Sequence, residues 1–139
     1  WPQVSDAIVD YYFTKKLAYS YIKRSQQPVC LMGGEEKENT VPLYAVNDSP
    51  QEISLNYTVY RILDGKKEAV HVGSAMLAPD TAQILKELPL SDRQECFLFT
   101  WEYGKTRGCN HYYTKLLKID FEEYKEAIRM CGFGMAFDI

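Results

Sequence analysis

The sequence has 139 residues, 46% of them apolar, 14% aromatic and 25% charged, and 16 basic residues against 19 acidic ones give a net charge of −3. That length suits one domain with a core of its own, and the composition excludes disorder, collagen-like repeats and a disulfide-dense miniprotein. The charge balance gives no reason to expect nucleic acid or an anionic membrane as a partner, and no apolar run approaches the ~20 residues of a membrane-spanning helix.

Trp1 opens the chain with no initiator Met and no targeting segment, so the expectation is a piece excised from something longer. The first predicted element is a helix from Lys15 to Arg24 with Thr14 as its cap. Leu17, Ala18, Tyr21 and Ile22 fall on one face, and Lys23 and Arg24 suit the negative end of the helix dipole. Pro28 forces an end at about Gln27.

From Val29 onward the pattern turns to strands. Candidate runs are Val29–Met32, Val41–Asn47, Ile53–Ile62, Ala69–Leu77, Gln83–Leu90, Cys96–Tyr103 and Cys109–Leu117. Turn residues separate them: Gly33-Gly34, Asn47-Asp48-Ser49-Pro50, Asp64-Gly65, Ala78-Pro79-Asp80, Ser91-Asp92 and Gly104 to Gly108. In the third run Ile53, Leu55, Tyr57 and Val59 point one way, and Ser54, Asn56 and Thr58 the other. Phe97, Phe99, Trp101 and Tyr103 share a face in the sixth. Seven short strands with no room for crossover helices predict an all-β fold, an immunoglobulin-like antiparallel β-sandwich. A short C-terminal helix follows, with Asp120 as a cap, Phe121, Tyr124 and Ile128 at helical spacing, and Gly132 as its stop. The apolar tail Phe133–Ile139 is expected to dock on something.

Chemistry is sparse. His71 and His111 each sit in a predicted strand with no His, Cys or carboxylate at ligand spacing, so both are expected to be structural or surface histidines. Cys30, Cys96, Cys109 and Cys131 form no C-x-x-C, and free, partly buried thiols are the expectation. Gly33-Gly34-Glu35-Glu36 lacks the Lys and Ser/Thr of a phosphate loop, and no nucleophile elbow occurs. Paired carboxylates are the one catalytic device left open. Glu35-Glu36, Asp92 with Glu95, and Glu122-Glu123 are the candidates, but turns and a helix start are where solvated charge belongs. The aromatic stripe of the sixth run suits a core better than a sugar-stacking platform. Two sequons, Asn47-Asp48-Ser49 and Asn56-Tyr57-Thr58, would matter only in a eukaryotic secretory protein. No cofactor and no metal is indicated.

The opening Trp1-Pro2-Gln3-Val4-Ser5-Asp6-Ala7-Ile8-Val9-Asp10-Tyr11-Tyr12 resembles glycoside hydrolase family 2, in particular its β-mannosidase-like members. Lys16-Leu17-Ala18-Tyr19-Ser20-Tyr21-Ile22-Lys23-Arg24 is similar to the family's Lys-Pro-Ala-Tyr-Tyr-x-x-Lys-Arg segment. Pro28-Val29-Cys30-Leu31, Val46-Asn47-Asp48 and Asn110-His111-Tyr112 are similar to strand motifs of the immunoglobulin-like domain that follows the family's catalytic barrel. Gln3, Asp6 and Leu17 depart from the family's usual Val, Trp and Pro, which leaves the sugar specificity open.

The resemblance implies that residues 1–27 are the end of the barrel, its last strand exit and last helix, and that residues 28–139 are the immunoglobulin-like domain. It implies no catalytic residue here, since the acid/base and nucleophile glutamates would lie upstream. Trp1 would sit near the sugar pocket, as a substrate-binding residue of the full-length parent only. The expected partner is the upstream barrel of the same polypeptide, with carbohydrate reached through the parent. The helix at 14–24, parted from its barrel, is expected to repack on the sandwich, on the tail or on a second copy in a dimer. The parent would be periplasmic or extracellular in bacteria and lysosomal in animals. The implied function is a non-catalytic accessory domain of an exo-acting β-glycosidase. The alternative is a carbohydrate-binding module using exposed aromatics.

Overall fold

The computed structural model describes residues 7–115 and 120–132. Helix α1 (Leu17–Ser25) is followed by β1 (Val29–Gly33), β2 (Thr40–Asn47), β3 (Ile53–Leu63), β4 (Lys66–Leu77), β5 (Thr81–Pro89), β6 (Cys96–Tyr103), β7 (Thr106–Tyr113) and helix α2 (Phe121–Met130). The strands make two antiparallel sheets, ordered β1-β2-β5 and β4-β3-β6-β7. The chain changes sheet after β2, β4 and β5, as in immunoglobulin-type sandwiches, so the predicted all-β architecture is the observed one.

Local chemistry fixes the connections. Asp64 and Gly65, at φ 52° and 66°, supply the two positive φ angles of a two-residue hairpin turn between β3 and β4. Strand β4 therefore starts at Lys66, three residues before the predicted run. Likewise β7 starts at Thr106, because Gly104 at φ 55° and Lys105 alone make its turn with β6. The predicted end of the seventh run, at residues 116 and 117, lies outside the described residues, as does the tail Phe133–Ile139. Strand β5 begins two residues early and carries Pro89 at its end, which a sheet edge tolerates.

Between the sheets lies the main core. Leu31, Val41, Leu43, Leu55, Val59, Phe97 and Phe99 are fully buried, with Tyr57 and Trp101 nearly so. These are the inward positions of a period-2 pattern, including the Phe97/Phe99/Trp101 stripe. Asn47 is a buried polar node where the chain leaves β2. Its Nδ2 donates to the carbonyls of Gln51, Leu77 and Ala78 at 2.8, 3.2 and 3.0 Å, and its Oδ1 accepts from the Ser49 amide and hydroxyl. All of the side chain's donors and acceptors are thereby satisfied.

A second, smaller core lies on the outer face of the four-stranded sheet. Ile62, Cys96, Leu98 and Tyr113 point outward there and meet Tyr124, Ala127 and Ile128 of α2. The cap of α2 is the predicted one: Asp120 Oδ1 accepts from the amides of Glu122 and Glu123 at 2.9 and 3.1 Å. Phe121 differs from expectation. It is half exposed and stacks along Tyr124, because the face that meets the sheet runs through Tyr124, Ala127 and Ile128.

The N-terminal helix also starts later than predicted. Lys16 is its N-cap, with no side-chain cap, and Thr14 is not a cap at all. Asp10 takes the Thr14 amide instead: its Oδ1 accepts from the Tyr12 and Thr14 amides, both at 2.8 Å. Phe13 at φ 64° and a bridge between Val9 and Lys15 close residues 9–15 into a tight loop, so the helix cannot begin before it ends.

Candidate functional site

The segment before β1 is joined to the sandwich through His111 on β7, whose neighbours Asn110 and Tyr112 hold β7 against β1. Strand alternation sends Asn110 and Tyr112 to one face and His111 to the other. Asn110 Nδ2 donates to the Leu31 carbonyl at 3.0 Å, tying β7 to β1 across the side of the sandwich. Tyr112 packs where Gly33 leaves room; a Cβ at Gly33 would stand 2.4 Å from the Tyr112 ring. Its hydroxyl reaches Glu36, whose carboxylate also accepts the Lys115 amide at 3.2 Å. On the opposite face His111 Nε2 shares a 3.1 Å hydrogen bond with the Tyr21 hydroxyl of α1, and Arg24 lies over the Tyr21 ring. Burial and the nearby Arg24 charge push the His111 imidazole down to about 4. It is therefore a neutral structural group at pH 7. His71, the other histidine, shares a 3.2 Å hydrogen bond with the Tyr57 hydroxyl.

Just upstream, the loop at 9–15 presents Tyr11, Tyr12 and Phe13 to solvent, exposed by 78%, 72% and 88%. Four backbone and side-chain hydrogen bonds centred on Asp10 hold this aromatic knuckle in shape. Three adjacent exposed aromatics make a contiguous apolar patch rather than the scattered exposure usual for a folded surface. Sequence reading missed it, although three consecutive aromatics cannot all enter one core.

The outer sheet face has a third feature. Beyond the helices it forms an open trough of 630 Å³ lined by Asn56, Thr58, Val72, Thr100, Glu102 and Arg107 among others. Glu102 and Arg107 pair across it at 3.7 Å. No exposed aromatic lines it, because the ring of Trp101 is buried. The Phe97/Phe99/Trp101 stripe is core, and the carbohydrate-binding reading finds no support in it.

The candidate carboxylates sit in different surroundings. Glu95 is wholly buried, with one oxygen 2.6 Å from Arg61 Nε and the other accepting the Ser91 amide at 2.6 Å. Sequence reading overlooked Arg61, yet its alternation with Val59 puts a cation on a core-facing position, where only an acid can compensate it. Asp92 is exposed. Glu122 pairs with Lys125 at 2.7 Å, and Glu123 gives α2 its negative first turn. Glu95 and Glu123 do line one cavity of 190 Å³ beside α2, together with Asp64 and Arg93, which pair with each other. Among the described residues no group of three or more His, Cys, Asp or Glu side chains is placed to hold a metal ion. No helix among them is long and apolar enough to cross a membrane. Trp1 lies outside the described residues.

All four cysteines are free thiols; Cys30 and Cys96 are buried, Cys109 and Cys131 half-buried. Burial pushes the Cys30 thiol up to about 11. Cys96 and Cys131, 35 residues apart in sequence, bring their sulfurs within 3.9 Å.

No family model and no curated protein matches the chain. Among solved structures it is similar to the β-D-mannosidase from Dictyoglomus thermophilum, at 24% identity over 81% of this chain with a TM-score of 0.61. That likeness shows the fold. The match spans only 14% of the mannosidase chain, so most of that protein has no counterpart here.

Proposed function

We propose that this chain is a non-catalytic, immunoglobulin-like accessory domain of a family 2 exo-acting β-glycosidase of β-mannosidase type. Residues 1–27 are then the closing segment of the catalytic barrel and residues 28–139 the domain that braces it. The observation that carries this reading is the fold likeness: 81% of the chain matches a portion amounting to 14% of a β-D-mannosidase. The opening motif from Trp1 to Tyr12 supports it independently.

Physical detail adds to it. A bracing domain needs a stiff link to the body it supports, and α1 is fastened to β7 by the Tyr21–His111 hydrogen bond and to β1 by the contact of the Cys30 thiol with the Arg24 carbonyl. It also needs a surface for that body. The aromatic knuckle at Tyr11–Phe13 offers one, and three large rings buried together would contribute several kcal/mol, at about 25 cal/mol per Å² of apolar area. The partner is the barrel of the same polypeptide, and Trp1 contributes to the sugar pocket only there. The parent hydrolyses its substrate with two glutamates supplied by the barrel.

The test is the intact mass and activity of the native polypeptide that carries this segment. A protein several times larger than 16.1 kDa, which cleaves an aryl β-mannoside that the isolated chain leaves untouched, is the expected result. A native product of about 16.1 kDa, or hydrolysis by the isolated chain, overturns the proposal.

A further inference from the structure

The four cysteines are scattered through the sequence, yet Cys96 and Cys131 converge at one place on the outer sheet face. Cys96 is wholly buried at the start of β6, paired across the ladder with Tyr113 and roofed by Tyr124, Ala127 and Ile128. Cys131 is the C-cap of α2, half-buried, with Gly132 at φ 75° turning the chain away behind it. Their sulfurs are 3.9 Å apart, which is van der Waals contact. We propose that these two thiols are a reversible redox clip, in which oxidation joins the end of α2 to β6 as a Cys96–Cys131 disulfide.

Geometry favours this pair over one with Cys30. A disulfide needs its sulfurs about 2 Å apart, so the pair must close by roughly another 2 Å. Cys131 can supply that movement because it lies past the last helical turn and is followed by a glycine. Cys30 is occupied elsewhere: its thiol contacts the Arg24 and Leu31 carbonyls and the Asn110 amide.

The two thiols are also unequal in the way thiol exchange requires. Cys96 is buried and Cys131 only half-buried, and although burial works against it, contact with the Cys96 thiol and the positive charges of Lys67 and Arg24 favour the thiolate on Cys131. The carbonyl end of α2 opposes a negative charge there, and the two cations offset it. Lys67 also anchors the site, donating to the Met130 carbonyl at 3.3 Å. Cys131 is thus the more exposed, attacking sulfur and Cys96 the buried, resolving one.

The reaction takes a small-molecule disulfide, such as oxidised glutathione, as its oxidant. The Cys131 thiolate attacks one sulfur of that reagent, the reagent's S–S bond breaks, and one thiolate leaves with a mixed disulfide formed on Cys131. Cys96 gives up its proton to solvent and attacks the Cys131 sulfur, and the second thiolate departs. Two protein thiols have then been oxidised to one disulfide, the reagent has been reduced to two thiols, and two electrons have moved. Excess reduced thiol drives the same steps backward.

The test is to equilibrate the 139-residue chain with mixtures of reduced and oxidised glutathione, trap free thiols by alkylation, and map the peptides by mass. The expected product is an intramolecular Cys96–Cys131 bridge, reversed by excess reduced glutathione, with amide exchange in α2 slowed at least about tenfold. Cys96→Ser should stop the sequence halfway, leaving a glutathione adduct on Cys131, whereas Cys131→Ser should give neither adduct nor bridge. No bridge in the unmodified chain, a bridge involving Cys30 or Cys109, or bridging only between two copies overturns the proposal. The unmodified chain alone decides this, so the outcome does not depend on either variant folding.

Discussion

The core between the sheets and the core beneath α2 are built from the same four-stranded sheet, seen from opposite sides. Between the sheets partners arrive from both layers, so Phe97, Phe99, Leu31 and Leu43 are closed in on all sides. Beneath α2 the sheet supplies Ile62, Cys96, Leu98 and Tyr113, with Tyr60 and Cys109 half-buried at the margin, and one ten-residue helix with its C-cap Cys131 supplies the rest. The first is a sandwich that closes by its own topology. The second depends on a helix that a single opening event can lift, and helix-sized units of this kind open at free energies below that of global unfolding. Strand β6 belongs to both, which is why Cys96 through Phe99 are buried without interruption while Thr100 and Glu102, past the helix, face the trough.

Substitutions on the two sides should separate these behaviours. The largest expected effect is Phe99→Ala, a truncation at a fully buried site, which should cost about 4 kcal/mol in urea unfolding and act on the whole molecule. Acidification should come next. The folded pKa of His111 is depressed to about 4 from 6.5, so between those values the unfolded chain binds more protons. Stability is complete above about pH 6.5 and falls by up to about 3 kcal/mol as the pH drops towards 4. His111→Gln, which keeps a partner for Tyr21 but does not titrate, should lack this share of the pH dependence. Identical pH profiles for the two proteins would refute the assignment.

On the helix side, Ile128→Ala should cost about 2 kcal/mol, at the low end for such truncations because the helix can settle toward the sheet. Its diagnostic is exchange: α2 amides should lose protection while those of β3 and β6 keep theirs. Uniform loss in both would mean that the two cores unfold as one. The smallest effect belongs to Asp120→Ala, about 1 kcal/mol for a lost cap, again confined to α2.

Much of the sandwich was legible because its signals are local. Turn residues bracket each strand, and the alternation of Leu55, Tyr57 and Val59 or of Phe97, Phe99 and Trp101 marks the buried face directly. What escaped was set by contacts distant in sequence. Phe121 looks buried until the sheet selects another face of the helix; Thr14 is the local exception, its amide held by Asp10 four residues earlier. The meeting of Cys96 with Cys131 and of Arg61 with Glu95 follows from strand pairing and helix docking, which no spacing rule encodes. Of the candidate site, His111 and His71 each share a hydrogen bond with a tyrosine hydroxyl, a pairing that no sequence spacing announces. The exposed knuckle at Tyr11–Phe13 carried a signal, three neighbouring rings, that went unused.

The register irregularity in the β3–β4 hairpin has a consequence for how copies of this chain meet. Val59 pairs with His71 and Tyr60 with Ala69, so Val70 is left over as a bulge in β4, an edge strand of twelve residues. A straight edge of that length is a template for an incoming strand from another molecule. The bulge breaks the row of free donors and acceptors partway, and Lys66, Lys67 and Glu68 put charge on the part beyond it. Strand addition would have to stop at Val70 or bury charge, so the longest unprotected ladder in the fold is also poorly suited to seeding aggregates.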